Sequence, residues 1–157
     1  MHPVFAQAVE SLHVSYERLV ESAHCNYATR PKAMPSSGVY LFSEGDRHLY
    51  VGRSNKLRTR YNDHCSPSAD YMLATFAFIL ARHETNRLEP CYKKNSPNNR
   101  KNLIKDPVFL DAFKLAKERI RNMQYRHVEE IDQTRQALLE IYCAIALNTP
   151  YNDFGTH

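Results

Sequence analysis

The sequence predicts an α+β domain in which a small, mostly antiparallel sheet is covered by helices. Three observations lead there. Residues 37–54, SGVYLFSEGDRHLYVGRS, place two runs of apolar and aromatic residues on either side of a glycine, the pattern of a half-buried hairpin. Residues 124–131, QYRHVEEI, offer the third strand that an isolated hairpin needs for stability. Most of the remaining chain repeats its apolar residues every three or four positions, as amphipathic helices do.

The elements follow in order. Val4, Phe5, Ala8, Leu12, Tyr16, Leu19 and Val20 mark one side of a helix over residues 4–20. The stretch RPKAMPSSG, residues 30–38, then breaks the helix and leads into an extended segment. In the hairpin, Val39 and Leu41 share one face and Tyr40 and Phe42 the other. If the aliphatic residues meet across the pair, Val39 opposes Val51, Leu41 opposes Leu49, and Tyr40 lies opposite Tyr50 about a three-residue loop, Glu44-Gly45-Asp46. A two-residue Gly45-Asp46 turn would send the two tyrosines to opposite faces.

Ser54 is a good N-cap for a helix from about Asn55, and a second helix is expected from about Ser68 to His83. Residues 91–106 read as a basic loop, with Lys93, Lys94, Arg100, Lys101 and Lys105 against the single acid Asp106. Asp106 then caps a helix with Pro107 at its first position and Val108, Phe109, Ala112, Phe113, Ala116 and Ile120 along one side. After the strand at 124–131, Asp132 caps a last helix running to about Leu147.

The chain of 157 residues suits one domain, with residues 1–30 as a helical flank and 37–154 as the core. At 43% hydrophobic and 24% charged it is neither disordered nor built to cross a membrane. The first residues lack the basic and apolar regions of an export signal, and the four cysteines have no metal-ligand spacing, so a cytoplasmic protein with reduced thiols is expected. Lys and Arg exceed Asp and Glu by 21 to 17, which permits an anionic partner.

Candidate site residues cluster around the hairpin. Lys56, Arg60 and His64 recur at every fourth position, bordered by Leu57 and Tyr61 on the side expected to face the core. With Arg53 and a helix N-terminus close to two phenols, this region could bind phosphate. Such a stripe is also what an ordinary solvated helix face presents. In ALLEIYCAIAL, residues 137–147, Glu140 is the only charged residue, so the helix looks buried on most sides. Its carboxylate is either an exposed edge position or an oxygen ligand for a hard divalent cation. Asn152 either fixes the chain beyond Pro150 or orients that carboxylate.

Together these residues resemble the GIY-YIG endonuclease superfamily, named for two tripeptides on neighbouring strands. Here they read Gly38-Val39-Tyr40 and Tyr50-Val51-Gly52, followed by Arg60, His64, Glu140 and Asn152. The resemblance implies a three-stranded antiparallel sheet flanked by helices, and metal-dependent cleavage of nucleic-acid phosphodiesters. The matching site residues are Tyr40, Tyr50, Arg60, Glu140 and Asn152, and His64 is similar to a histidine of many members. Valine for isoleucine in both tripeptides is a small change between β-branched residues. The stretch between Arg60 and Glu140 is longer than a minimal domain needs, with an insertion expected at about 85–122.

In this reading Tyr40 is the general base or a water-positioning phenol, with Tyr50 as its partner. Arg60 clamps the phosphoryl group, and Glu140 holds one Mg²⁺ or Mn²⁺. A base role needs nearby cations to favour the phenolate. Arg53, Lys56, Lys93, Lys94, Arg100 and Lys101 are the expected contacts to DNA, taken as double-stranded. Cutting both strands at one locus would call for a homodimer. The competing expectations are a non-catalytic nucleic-acid-binding module on the same scaffold, and an unrelated α+β interaction domain.

Overall fold

Pro3 stands at the start of helix α1 (Pro3–Glu21), where its missing N–H breaks no intrahelical bond. In the computed structural model, which describes residues 1–89 and 91–154, the chain is α+β as expected. It divides into two compact units. One comprises Met1–Arg60 and Met123–Asn152 and holds the sheet; the other, built on Tyr61–Asn122, is helical. Among the described residues no helix is long and apolar enough to cross a membrane.

The sheet has three antiparallel strands, β1 (Gly38–Glu44), β2 (Arg47–Ser54) and β3 (Gln124–Glu129), in the order β2-β1-β3. The hairpin register differs from the expected one. Gly45, at φ +56°, forms a two-residue turn with Asp46, and Glu44 pairs with Arg47. Positive φ at the first turn position suits glycine, which is why the shorter loop wins. A bulge at Leu49 then separates the pairs Ser43–His48 and Phe42–Tyr50. Its extra residue restores the alternation that the short turn would have reversed. Tyr40 therefore lies opposite Gly52, and Tyr50 opposite Phe42, with both tyrosines still on one face. The aliphatic pairing is Leu41 with Val51, while Val39 meets Arg53.

The opposite face carries the core of this unit. Val39, Leu41 and Val51 pack on Leu12 and Leu19 of α1 and on Leu139 and Cys143 of helix α6 (Gln133–Ala146). The buried stripe of α1 starts at Leu12, and Val4 and Phe5 remain exposed. Nor is α6 buried on most sides: Ile141 and Ile145 are exposed, because one stripe of the helix meets the sheet. Asp132 caps α6 as expected, its carboxylate accepting from the Arg135 N–H at 2.8 Å.

Asn148, at φ +49°, ends α6 in the left-handed conformation, with Thr149 N–H donating to Ala144 O (3.1 Å) and Asn148 N–H to Ile145 O (3.2 Å). That turn lays the following segment along the outer edge of β2, where Tyr151 N–H donates to Leu49 O. The outer edge of β3 is met by Cys25, which exchanges backbone bonds with Tyr125, and by Ser22 O, which accepts from Arg126 Nε.

Helix α2 (Leu57–Cys65) starts later than Asn55, since Ser54 still belongs to β2. The Ser54 hydroxyl nonetheless accepts from Lys56 N–H (2.9 Å), and Leu57 N–H donates to Ser36 O (2.9 Å), which fixes where the helix begins. Within the helical unit, α3 (Thr75–Glu84) begins well after Ser68. Asp70 Oδ1 accepts from Met72 and Leu73 N–H (2.8 and 3.1 Å), local bonds that compete with a helix. Helix α4 (Arg100–Leu103) is a single turn, and α5 (Pro107–Asn122) starts as expected, although Val108 is exposed. α3 and α5 pack through Phe78 and Phe109, ring centroids 4.9 Å apart.

Candidate active site

The aromatic face of the sheet is built around Tyr40. On the central strand it is buried, with Gly52 beside it on β2 and His127 on β3. Its ring sits among Phe42 (5.8 Å between centroids), Tyr50 (6.4 Å) and Tyr125 (5.8 Å, nearly parallel). Gly52 is what lets the ring lie there. A Cβ at that position would fall 2.8 Å from Tyr40 Cε2 and closer still to the phenol carbon and oxygen. The two glycine-bearing tripeptides thus meet in space, one supplying the ring and the other the gap that receives it.

Arg60, in the first turns of α2, donates from Nε to the Tyr40 hydroxyl at 3.4 Å. Its backbone N–H bonds to Lys56 O (2.9 Å), so the placement of the helix start sets where the guanidinium falls. Burial pushes the Tyr40 pKa well up, the charge of Tyr50 adds to the rise, and Arg60 opposes both without overcoming them. Among the protein's own groups desolvation outweighs Arg60, which favours the protonated phenol.

Glu140 lies on the α6 side, where its Oε2 accepts from Arg53 Nε at 3.0 Å. Burial raises the carboxyl pKa, while Arg53 first and Arg60 second pull it down. The carboxylate that looked isolated in sequence is held by Arg53. For a raised acid, the ionised form is lost on acidification at a higher pH than for an ordinary carboxyl. Any activity that needs ionised Glu140 should accordingly fall off above the usual carboxylate range, and Arg53→Met should move that acid limb to still higher pH. A pH–rate profile of both proteins checks this; an unmoved limb would leave Glu140 out of the reaction.

One turn before Glu140, Gln136 is buried and donates through Nε2 to Asn55 Oδ1 (3.0 Å) and Glu130 O (2.7 Å). Gln136 and Glu140 thus form two successive rungs, to Asn55 and Arg53, that hold the β2–α2 connection to α6. Sequence reading missed Gln136. The available signal was its i, i+4 spacing from Glu140 on an otherwise apolar helix. His127 was also missed, because its place beside Tyr40 follows from the β1–β3 register; burial lowers its pKa.

Asn152 resolves to the first of its two expected roles. Its Oδ1 accepts from Val51 N–H (2.8 Å) and its Nδ2 donates to Val51 O (2.7 Å), completing the β2 edge between Tyr50 and Gly52. Thr149 Oγ1 donates to the same Oδ1 at 2.8 Å. Asn152→Ala should cost roughly 1–3 kcal/mol, since it leaves part-buried backbone groups of Val51 unpaired. The urea midpoint measures this, and an unchanged midpoint would show that water replaces the amide.

Tyr40, Tyr50, Arg53, Arg60, Glu140 and Asn152 thus belong to the sheet unit, with Lys56 exposed at the start of α2. His64 belongs to the helical unit, where it is fully buried with its ring edge-on to Phe76 at 6.4 Å, so the stripe begun by Lys56 and Arg60 does not reach solvent at His64. Lys93, Lys94 and Lys101 are exposed in that unit. Arg100 is half-buried there, its guanidinium 4.8 Å from the Phe78 ring centroid and donating to Tyr71 O. No protein-family model, no curated protein and no solved structure matches this chain.

Proposed function

We propose that the protein is a divalent-metal-dependent endonuclease of the GIY-YIG type that hydrolyses phosphodiester bonds in DNA. The observation that supports this most is the bond from Arg60 to the buried Tyr40 hydroxyl, on the sheet face that also carries Tyr50. A guanidinium and a protonated phenol side by side suit a tetrahedral phosphoryl group better than a planar carbonyl.

Among the described residues no three metal-ligating side chains gather. Glu140 is the one carboxylate assigned here to Mg²⁺, which would take its other ligands from waters and substrate oxygens. When bound, the ion supplies charge neutralisation on the phosphoryl oxygens. Arg53, paired to Oε2, orients the carboxylate. Arg60 is the donor to a phosphoryl oxygen as negative charge grows there. Tyr40 keeps its proton and orients water or phosphate as a donor, with Tyr50 beside it.

Supercoiled plasmid incubated with and without Mg²⁺ tests the reading. Nicked or linear product is expected only with the metal, and Glu140→Gln should abolish it. Cleavage that survives in Glu140→Gln would remove the carboxylate from the reaction. The alternative, a nucleic-acid-binding module without chemistry, is favoured by the ion pair that already occupies Glu140. Retarded but intact DNA at every metal concentration would decide for it.

A further inference from the structure

The helical unit contains a cleft of about 460 Å³ outside the site just described. Its accessible apolar lining comes from Pro97, with Leu103 buried behind it, and its cations are Arg87 and Lys105. Asn95 and Asn102 add amide groups, and Asp106 is held by Arg87 at 3.5 Å. With that pair neutralised, Lys105 leaves the cleft net positive.

The walls are held by side-chain-to-backbone bonds rather than by a large apolar core. Asn99, nearly buried, donates to Lys93 O (3.1 Å) and Lys94 O (2.8 Å) while accepting from Asn102 N–H (2.8 Å). Asn102 Nδ2 donates to Ser96 O at 2.8 Å. Arg82 reaches Arg87 O (2.8 Å), Glu89 O (3.1 Å) and Asn98 O (3.2 Å). A segment tied at so many carbonyls is organised before a ligand arrives, which lowers the ordering cost of binding.

We propose that this cleft seats one nucleotide unit, with its phosphate at Lys105 and its base on Pro97. The base edge would then face the amide of Asn95, a group able to pair with donors and acceptors together. The proline face separates this from a plain anion site, and Lys105 separates it from a site for a neutral ring. The proposal rests on the nuclease reading only in taking nucleic acid as the natural ligand.

Titrating the intact protein with deoxynucleoside 5′-monophosphates, the matching nucleosides and inorganic phosphate, followed by calorimetry, tests it. Monophosphates should bind about tenfold or more tightly than either fragment, a gap of roughly 1.4 kcal/mol. Lys105 and Asn95 are exposed, so their variants should keep the far-ultraviolet circular dichroism of the parent. Lys105→Glu should reduce monophosphate affinity to that of the nucleoside, with Lys105→Gln in between. Asn95→Ala should weaken base-containing ligands and leave inorganic phosphate unchanged. Inorganic phosphate binding as tightly as monophosphate, or Lys105→Glu binding like the parent, would overturn the assignment. Plasmid cleavage measured in parallel keeps the two readings apart. Monophosphate binding without cleavage retains the cleft and removes the nuclease, whereas cleavage without monophosphate binding does the reverse.

Discussion

If the protein is the proposed nuclease, Arg60→Ala should lower kcat for plasmid cleavage by roughly 10²–10³ while changing KM little, because the guanidinium would be aimed at charge that develops during reaction. Arg60 is placed by the start of α2 and contacts the hydroxyl of a buried phenol, so its removal takes away both the proposed phosphoryl donor and a polar partner of Tyr40. Lysine would keep the charge but not the fork of planar donors, and Arg60→Lys should recover only part of the rate. Parallel losses in kcat and affinity would instead mark Arg60 as a docking residue.

Gly52→Ala should lower the rate as well, and stability with it. The added methyl group would occupy the space of the Tyr40 ring, which is hemmed in by Phe42, Tyr50 and Tyr125. Either that ring moves off Arg60 or β2 shifts away from β1. Overpacking of this kind costs about 1–3 kcal/mol, and turnover should fall about tenfold or more. Urea unfolding and near-ultraviolet circular dichroism of the tyrosines report the two effects separately. Parental activity and stability together would mean that the ring relocates at no cost.

How much of this was readable from residues alone can be judged at particular positions. Hydrophobic period placed α1 within a residue or two, and caps helped to place α5 and α6 as closely, because Asp106 and Asp132 act locally. The face shared by Tyr40 and Tyr50 was also expected, but for an incomplete reason. Sequence spacing could not reveal that a short turn and the bulge at Leu49 offset one another. Asp70 and its turn bonds delayed α3, a local competition that periodicity does not register.

At the candidate site, the residues with distinctive chemistry stood out and their partners did not. Glu140 was conspicuous as a lone charge in an apolar run, yet its bond to Arg53 spans 87 positions of sequence. Asn152 drew notice, but its clamp on Val51 depends on the left-handed turn at Asn148. Gln136 went unnoticed because an amide in a helix is unremarkable until its partners are known.

Strands at the rim of a sheet are natural templates for pairing with another chain, and the small sheet here has two rims to protect. On one, Tyr151 and Asn152 take up the outward hydrogen bonds of Leu49 and Val51; on the other, Cys25 does so for Tyr125. A second copy therefore has no open strand to extend along these stretches, and self-association would have to proceed through side chains. Truncation before Thr149 would uncover one rim, and concentration-dependent, fibrillar aggregation is the consequence to watch for in such a shortened protein.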